Sequence, residues 1–181
     1  MQVLAVIPAR GGSKGIPRKN LELLGTKPLI VHSIDSAMKS EFITDLIVST
    51  DDEEIASVAR VNGANVPFLR PYDLSTDSAS SFSVMKHALE FMEGTKNYKY
   101  DACLLLQPTT PFREVKLIDR SIKMLASRPL NSSIVTVVSV GASHPHRMYS
   151  ISADDQLEPF VLGLDDYMAP RQLLPKVYIR S

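Results

Sequence analysis

Four short apolar runs, separated by stretches of helical period, dictate how this sequence can fold. The runs are Val3 to Ile7, Leu46 to Ser49, Ala102 to Leu106 and Ile134 to Val140. Each is apolar on successive positions rather than alternate ones, the pattern of strands buried on both faces of a parallel sheet. Between them Ile30, Ile34 and Ala37 recur at helical spacing, as do Ile55, Val58 and Ala59. Val84, Ala88 and Met92 make a third stripe, and Ile118, Ile122 and Leu125 a fourth. Thr50 or Asp51 is expected to cap the second helix, ahead of Asp52, Glu53 and Glu54 in its first turn, and Ser80 or Ser81 the third. Strand, loop, helix, strand at this spacing predicts an α/β fold with a Rossmann-like, doubly wound, mostly parallel sheet.

Ligands of such sheets bind beyond the carboxyl ends of the strands. Those ends carry Ala9 to Gly15, Ser49 to Asp51 and Gln107 to Pro111, so the polar, turn-forming residues gather on one edge. From Gly141 to about Pro170 the rhythm breaks into a stretch rich in His, Pro, Asp and Tyr, expected to be a functional loop, a small subdomain or an interface arm. The last residues, Lys176 to Ser181, alternate like a strand just beginning.

Charge narrows the function. Lys plus Arg number 20 and Asp plus Glu 20, so no whole-protein positive field exists to hold nucleic acid or an anionic membrane. An anionic substrate must be held by a local cluster. The single cysteine, Cys103, excludes an internal disulfide and fits a reducing cytoplasm; its apolar neighbours predict a buried structural thiol. The apolar start, broken at Pro8 and without a basic leader, reads as a first strand rather than a signal peptide or membrane span.

The local cluster is the loop Arg10-Gly11-Gly12-Ser13-Lys14-Gly15-Ile16-Pro17-Arg18-Lys19-Asn20. Its glycines let backbone N–H groups approach an anion, and Arg10, Lys14, Arg18 and Lys19 supply the positive charge a triphosphate needs. It is not a Walker loop, because Gly15 rather than Ser or Thr follows Lys14. Nor is it a dinucleotide fingerprint, because Pro17 lies inside the turn and no helix is expected before about Leu29.

Pro8 to Asn20 resembles the nucleotide-binding signature of the acylneuraminate cytidylyltransferases, the CMP-sialic acid synthetases, a family that includes the legionaminic and pseudaminic acid enzymes. Ser49 to Asp52, Arg70-Pro71, Asp77 to Ser81, Leu106 to Arg113, and Pro170 to Gln172 with Leu174-Pro175 and Tyr178 match the family in order, so the resemblance covers essentially the whole chain. It implies the nucleotide-diphospho-sugar transferase type of doubly wound sheet, with a small dimerisation arm. On that basis 1–140 is the nucleotide-binding core, 141–170 the dimerisation and sugar-binding arm, and 171–181 a return to the core sheet. The chain would then stop inside a strand, with further elements expected beyond Ser181.

The implied reaction joins CTP to a nine-carbon 2-keto sugar acid, giving CMP-sugar and pyrophosphate. By resemblance Arg10 and Lys19 hold the phosphates and steady the leaving group, helped by Gly12, Ser13 and Lys14 and the amides of that turn. Asn20 matches a contact to the nucleotide sugar, and Arg70, Ser81 and Gln107 match positions around cytosine and ribose. Taken singly, Ser81 is a helix cap and Arg70 a surface ion pair; the ordered set makes them binding residues. Arg147 and Arg171 match basic residues for the sugar carboxylate, Arg171 across a homodimer. His144 and His146 have no third ligand in reach by sequence and read as turn or interface residues, and Asp165 and Asp166 as solvated loop charges. A Mg²⁺ or other divalent cation is implied, its family aspartates expected beyond Ser181; Asp51 has no spacing that makes it a ligand.

The family commonly carries arginine directly after the aromatic of the last motif, where Ile179 stands here and Arg180 comes one later. That move reverses the side-chain face in a strand, so the preferred sugar can differ from the commonest sialic acid. Two other readings stay open. One is a nucleotidyltransferase for the eight-carbon keto-deoxy-octulosonic acid, against which Gln107-Pro108-Thr109 speaks because an acidic residue is expected there. The other is a CTP-binding module with little turnover.

Overall fold

Three of the four apolar runs pair as the core of a parallel sheet with helices on both faces. The computed structural model describes residues 1–129, 132–163 and 169–180. Its elements run β1 (Val3–Pro8), β2 (Leu23–Leu24), β3 (Lys27–Pro28), α1 (Leu29–Met38), β4 (Asp45–Ser49), α2 (Glu53–Val61), α3 (Ser81–Thr95), β5 (Ala102–Leu105), α4 (Val115–Ala126), β6 (Val137–Ser139), β7 (Tyr149–Ile151), β8 (Leu157–Pro159) and β9 (Tyr178–Arg180). They form two compact units, Met1–Leu130 and Asn131–Ser181.

In the first unit β4, β1 and β5 lie side by side in that order, all parallel. Successive side chains of β1 explain its unbroken apolar run. Val3, Ala5 and Ile7 pack with Ile30 and Ile34 of α1, Ile55 and Ala59 of α2, and Ile118 and Ile122 of α4. Leu4 and Val6 point to the other face, against Ala88 and Met92 of α3, with Phe68 and Cys103 beside them. Both faces are thus covered and the sheet is doubly wound, as expected. Burial pushes the Cys103 thiol up to about 11, which keeps it protonated and inert at neutral pH.

Capping decides where the helices start. Asp52, rather than Thr50 or Asp51, caps α2: its Oδ1 accepts from the amides of Glu54 at 2.9 Å and Ile55 at 3.0 Å. Thr50 stands two residues outside, its hydroxyl accepting from Asp52 N at 3.1 Å. Ser80 caps α3 through the Ser83 amide at 3.0 Å. In α1 no side chain caps; the Leu29 and Ile30 amides donate instead to the carbonyls of Glu22 and Asn20 at 2.9 and 3.0 Å. Those two amides are thereby committed to the loop and are not free to receive an anion, unlike those that open the first helix of a dinucleotide fold.

The end of α2 sets the position of Arg70. Gly63, at φ 90°, closes a Schellman motif in which Ala64 N bonds Ala59 O at 3.0 Å and Gly63 N bonds Arg60 O at 3.1 Å. The chain then runs parallel beside β4, with bridges at Ile47–Asn65 and Thr50–Leu69, and delivers Arg70 to the carboxyl edge.

The second unit departs from the sequence reading. The expected strand Ile134 to Val140 shortens to β6, and 131–140 groups with the residues that follow it rather than with the core. β6 pairs antiparallel with β9, Val137 opposite Arg180 and Ser139 opposite Tyr178, so 178–180 meets β6. Thr136 and Ser139 flank only two valines, too short an apolar stretch for burial on both faces, and β6 is exposed. β7 and β8 form an antiparallel hairpin. Asp165 and Asp166 lie outside the described residues.

Candidate active site

The glycine-rich loop is pinned to the carboxyl edge at several points. The Gly11 amide donates to Asp51 Oδ1 at 2.9 Å, and a Cβ on Gly11 would stand 2.6 Å from Asp52 Oδ2 and 2.9 Å from its Cβ. Only glycine lets the loop pass this close to the α2 cap. Asn20 is buried and donates to the Arg10 carbonyl at 3.0 Å, closing the loop on itself. Arg18 is held in the left-handed region at φ 51° while its guanidinium meets Glu54 at 2.6 Å and Asp52 at 3.3 Å. That backbone costs about 1–2 kcal/mol for a non-glycine residue. The two carboxylates hold Arg18 there.

Under this loop lies a cavity of about 320 Å³, at the edge where the sheet rule predicts a ligand. Arg10, Gly12, Ser13, Lys19, Asn20, Arg70, Ser81 and Gln107, all selected from the sequence, line it together, with Thr76, Asp77 and Thr109 among the rest. Lys14 is the exception. It lies outside the lining, with its side chain 81% exposed, and reaches Asp77 Oδ2 at 2.6 Å. Arg10 meets the other oxygen of Asp77, also at 2.6 Å. The Lys14 and Arg10 bonds hold the Asp77 carboxyl below the usual carboxylate range, so it stays charged at neutral pH.

Arg70 is no surface ion pair. It is buried, donating from Nε to Ser49 Oγ at 3.1 Å, from Nη1 to Leu74 O at 3.3 Å and from Nη2 to Ser49 O. Burial lowers its pKa, Asp51 opposes that shift and Arg10 adds to it. Ser81 is no cap, because Ser80 takes that place; Ser81 instead lines the cavity.

In the second unit Arg147 is exposed and donates to Ala169 O at 3.3 Å. Arg171 opens a 3-10 turn, Arg171–Leu173, and its side chain lies outside the described residues. His144 is buried, accepting at Nδ1 from the His146 amide at 3.2 Å with Nε2 2.9 Å from Pro175 O. Nε2 therefore carries the proton and donates to Pro175 O, while Nδ1 caps the 3-10 turn Pro145–Arg147. Asp77 lies in one of the matching blocks, Asp77 to Ser81, but its sequence context assigns it no role. Its position between Thr76 and the Ser80 cap is the one local signal that it belongs to a fixed turn.

Comparison with known proteins agrees with this geometry. The family model described as cytidylyltransferase matches residues 4–155. The chain is 42% identical over 137 residues to the CMP-N,N'-diacetyllegionaminic acid synthase of Legionella pneumophila, covering 76% of this chain and 58% of that one. It is 40% identical over 136 residues to the N-acylneuraminate cytidylyltransferase of Escherichia coli, covering 75% of this chain and 31% of that one. It thus spans less than two thirds of either relative. With the pseudaminic acid cytidylyltransferase of Campylobacter jejuni the identity is 35% over 180 residues, 98% of this chain and 75% of that one. In fold it resembles the solved CMP:2-keto-3-deoxy-manno-octonic acid synthetase complexed with CTP, with TM-score 0.72 at 17% identity, covering 100% of this chain and 72% of that one. The loop, the cavity it roofs and the matched span together place this chain in the cytidylyltransferase family.

Proposed function

We propose that this protein activates a nonulosonic acid, transferring CMP from CTP to a nine-carbon 2-keto sugar acid with release of pyrophosphate. The observation that carries the reading is the convergence of Arg10, Lys19, Asn20, Arg70, Ser81 and Gln107 on one cavity at the carboxyl edge. The relatives named for legionaminic, N-acylneuraminic and pseudaminic acids supply the substrate class.

The anomeric oxygen of the sugar forms a bond to the α-phosphorus as the bond to the pyrophosphate oxygen breaks. Negative charge grows on the transferring and leaving oxygens. Catalysis is then positioning and electrostatic stabilisation. Arg10 and Lys19 face that charge, with the Gly12 and Ser13 backbone beside them, while Lys14 stands at the rim. Arg70, braced on Ser49 and Leu74, and Ser81 and Gln107 surround the nucleoside, Gln107 offering a donor and an acceptor to the cytosine edge. Asn20 closes the loop against the ribose. Arg147 and Arg171 are assigned to the sugar carboxylate, which suits a guanidinium fork.

Among the described residues no group of three His, Cys, Asp or Glu is placed to hold a metal ion. Asp77 is taken by Arg10 and Lys14, Asp51 binds the Gly11 amide and Asp52 caps α2. These residues do not form a divalent site among themselves, and Mg²⁺ is proposed as the counter-ion of the triphosphate oxygens. A homodimer is proposed through the second unit, whose hairpin exposes Ile151 and Leu157 by 70% and 67%. No helix among the described residues is long and apolar enough to cross a membrane. A cytoplasmic site of action is proposed, in keeping with the proposed substrates and the single thiol.

Pyrophosphate release with CTP against a panel of nine-carbon acids and the eight-carbon acid tests the proposal. Release with at least one nine-carbon acid, and little with the eight-carbon one, is expected. CTP binding without release from any acid would support the binding module instead.

A further inference from the structure

The Gln107 carbonyl is a point of convergence. It accepts from the Thr110 amide at 3.2 Å, from Arg113 Nη2 at 3.1 Å and from Ser33 Oγ at 3.5 Å. One donor belongs to the turn itself, one to the far end of the loop and one to α1. Arg113 is held in its turn, because its own carbonyl accepts from Ser36 Oγ at 3.4 Å, on the same face of α1 as Ser33.

The Arg113 guanidinium is an expensive way to make this bond. Nη1 is buried and finds no hydrogen-bond partner among the described residues, and no carboxylate there pairs with the cation. Partly burying a charge without a counter-charge opposes folding, even though Arg113 keeps some exposure. What the cation gains is one charge-assisted bond to one carbonyl, and that carbonyl belongs to a residue of the cavity lining. Arg113 itself lies outside the lining, so any effect on the nucleotide passes through Gln107.

We infer that Arg113 is a positioning residue for nucleobase selection, fixing the Gln107 peptide so that its amide reaches the base edge from one position. This rests on the proposed role of Gln107. A fixed peptide sets the point from which the Gln107 amide reaches the base edge, and an amide displaced from that point distinguishes cytosine from uracil less sharply.

Calorimetric titration of CTP and UTP, with thermal melts, compares wild type with Gln107→Ala, Arg113→Lys and Arg113→Met. Lysine keeps the charge without the planar fork, and methionine keeps much of the stem. Both Arg113 variants are expected to bind CTP about ten-fold more weakly while UTP binding changes little, so that the preference shrinks. Gln107→Ala is expected to lose the same preference, and adding Arg113→Met to it to reduce the preference no further. Lower melting temperatures with the preference intact in both Arg113 variants, while Gln107→Ala loses it, would overturn the inference. An intact preference in Gln107→Ala would overturn the underlying role of Gln107 instead. Should Arg113→Met not fold, Arg113→Lys decides alone.

Discussion

The two edges of the parallel sheet treat charge in opposite ways. At the amino edge polar groups close on one another. Asp45, the first residue of β4, accepts from Tyr100 Oη at 2.7 Å, from Lys96 Nζ at 3.1 Å and from the Tyr98 hydroxyl. The Gln2 amide donates to Asp101 Oδ2 at 2.6 Å and the Val3 amide to Thr44 Oγ1 at 2.9 Å. Burial would raise the Asp45 pKa, but the bonds from Tyr98, Tyr100 and Lys96 outweigh it and hold the carboxyl below its ordinary value. Burial and the same contact push the Tyr100 hydroxyl well above the usual range. At the carboxyl edge Arg10 and Lys14 share a carboxylate whose side chain is 47% exposed, one that an incoming anion can replace. The amino edge spends its charge on stability, while the carboxyl edge keeps cations within reach of a ligand.

Substitutions at the two edges should therefore separate. Arg10→Ala should lower cytidylyl transfer by about 100-fold or more, the scale of losing a group that faces transition-state charge. Its melting temperature should move by no more than about 1–2 °C, because its ion-pair partner is exposed. Retained turnover, or a large melting loss, would break the contrast. Asp45→Asn should do the reverse. Weakening three bonds at a partly buried carboxylate costs about 1–3 kcal/mol, or roughly 3–10 °C in a chain of this size, with turnover at 25 °C unchanged. The sign with pH follows from the lowered pKa. Ionised Asp45 stabilises the fold above its ordinary value of 3.8, and that contribution disappears as pH falls through the lower folded value. The melting gap between wild type and Asp45→Asn should accordingly persist at neutral pH and close only below about pH 4. A gap that stays constant into strong acid would show that the charge of Asp45 is not what stabilises this edge.

How far the sequence foretold these edges depends on the range of the forces involved. β1 and α1 to α4 were legible because burial on both faces, and a stripe every three to four residues, are written locally. The α2 cap fell one or two residues from the expected position. Thr50, Asp51 and Asp52 are all cap formers, and only the backbone geometry decides whose oxygen reaches two amides. Arg10, Lys19, Asn20, Arg70, Ser81 and Gln107 came from glycine-loop chemistry and ordered motifs, and they do meet in one cavity. The ion pairs of Asp77 and the Arg113 clamp on Gln107 were not legible. Each joins residues whose meeting is set by the tertiary path of the chain, and an aspartate or arginine in a loop carries no periodic signal. The pairing of β6 with β9 escaped for the same reason: two valines and a terminal alternation do not specify a partner.

Asp77 gives the finest test of the carboxyl edge, because its contact with Arg10 and Lys14 has two opposite readings. If the carboxylate occupies the place of a phosphate, the triphosphate must displace it, and its removal should favour CTP. If it instead helps to orient the cations for the nucleotide, its removal should hurt. The lowered pKa keeps Asp77 charged throughout the neutral range, so pH cannot relieve the competition short of acid. Asp77→Asn keeps the shape and deletes the charge. With Arg10 and Lys14 released, CTP should bind about 3–5-fold more tightly at low salt, the gain shrinking as salt screens the exposed pair. Arg10→Ala in the same background should remove most of that gain, since the released cation is what the triphosphate meets. Weaker CTP binding by Asp77→Asn at every salt concentration would favour orientation over competition. The contrast between the edges would then lie in geometry rather than in exchangeable charge.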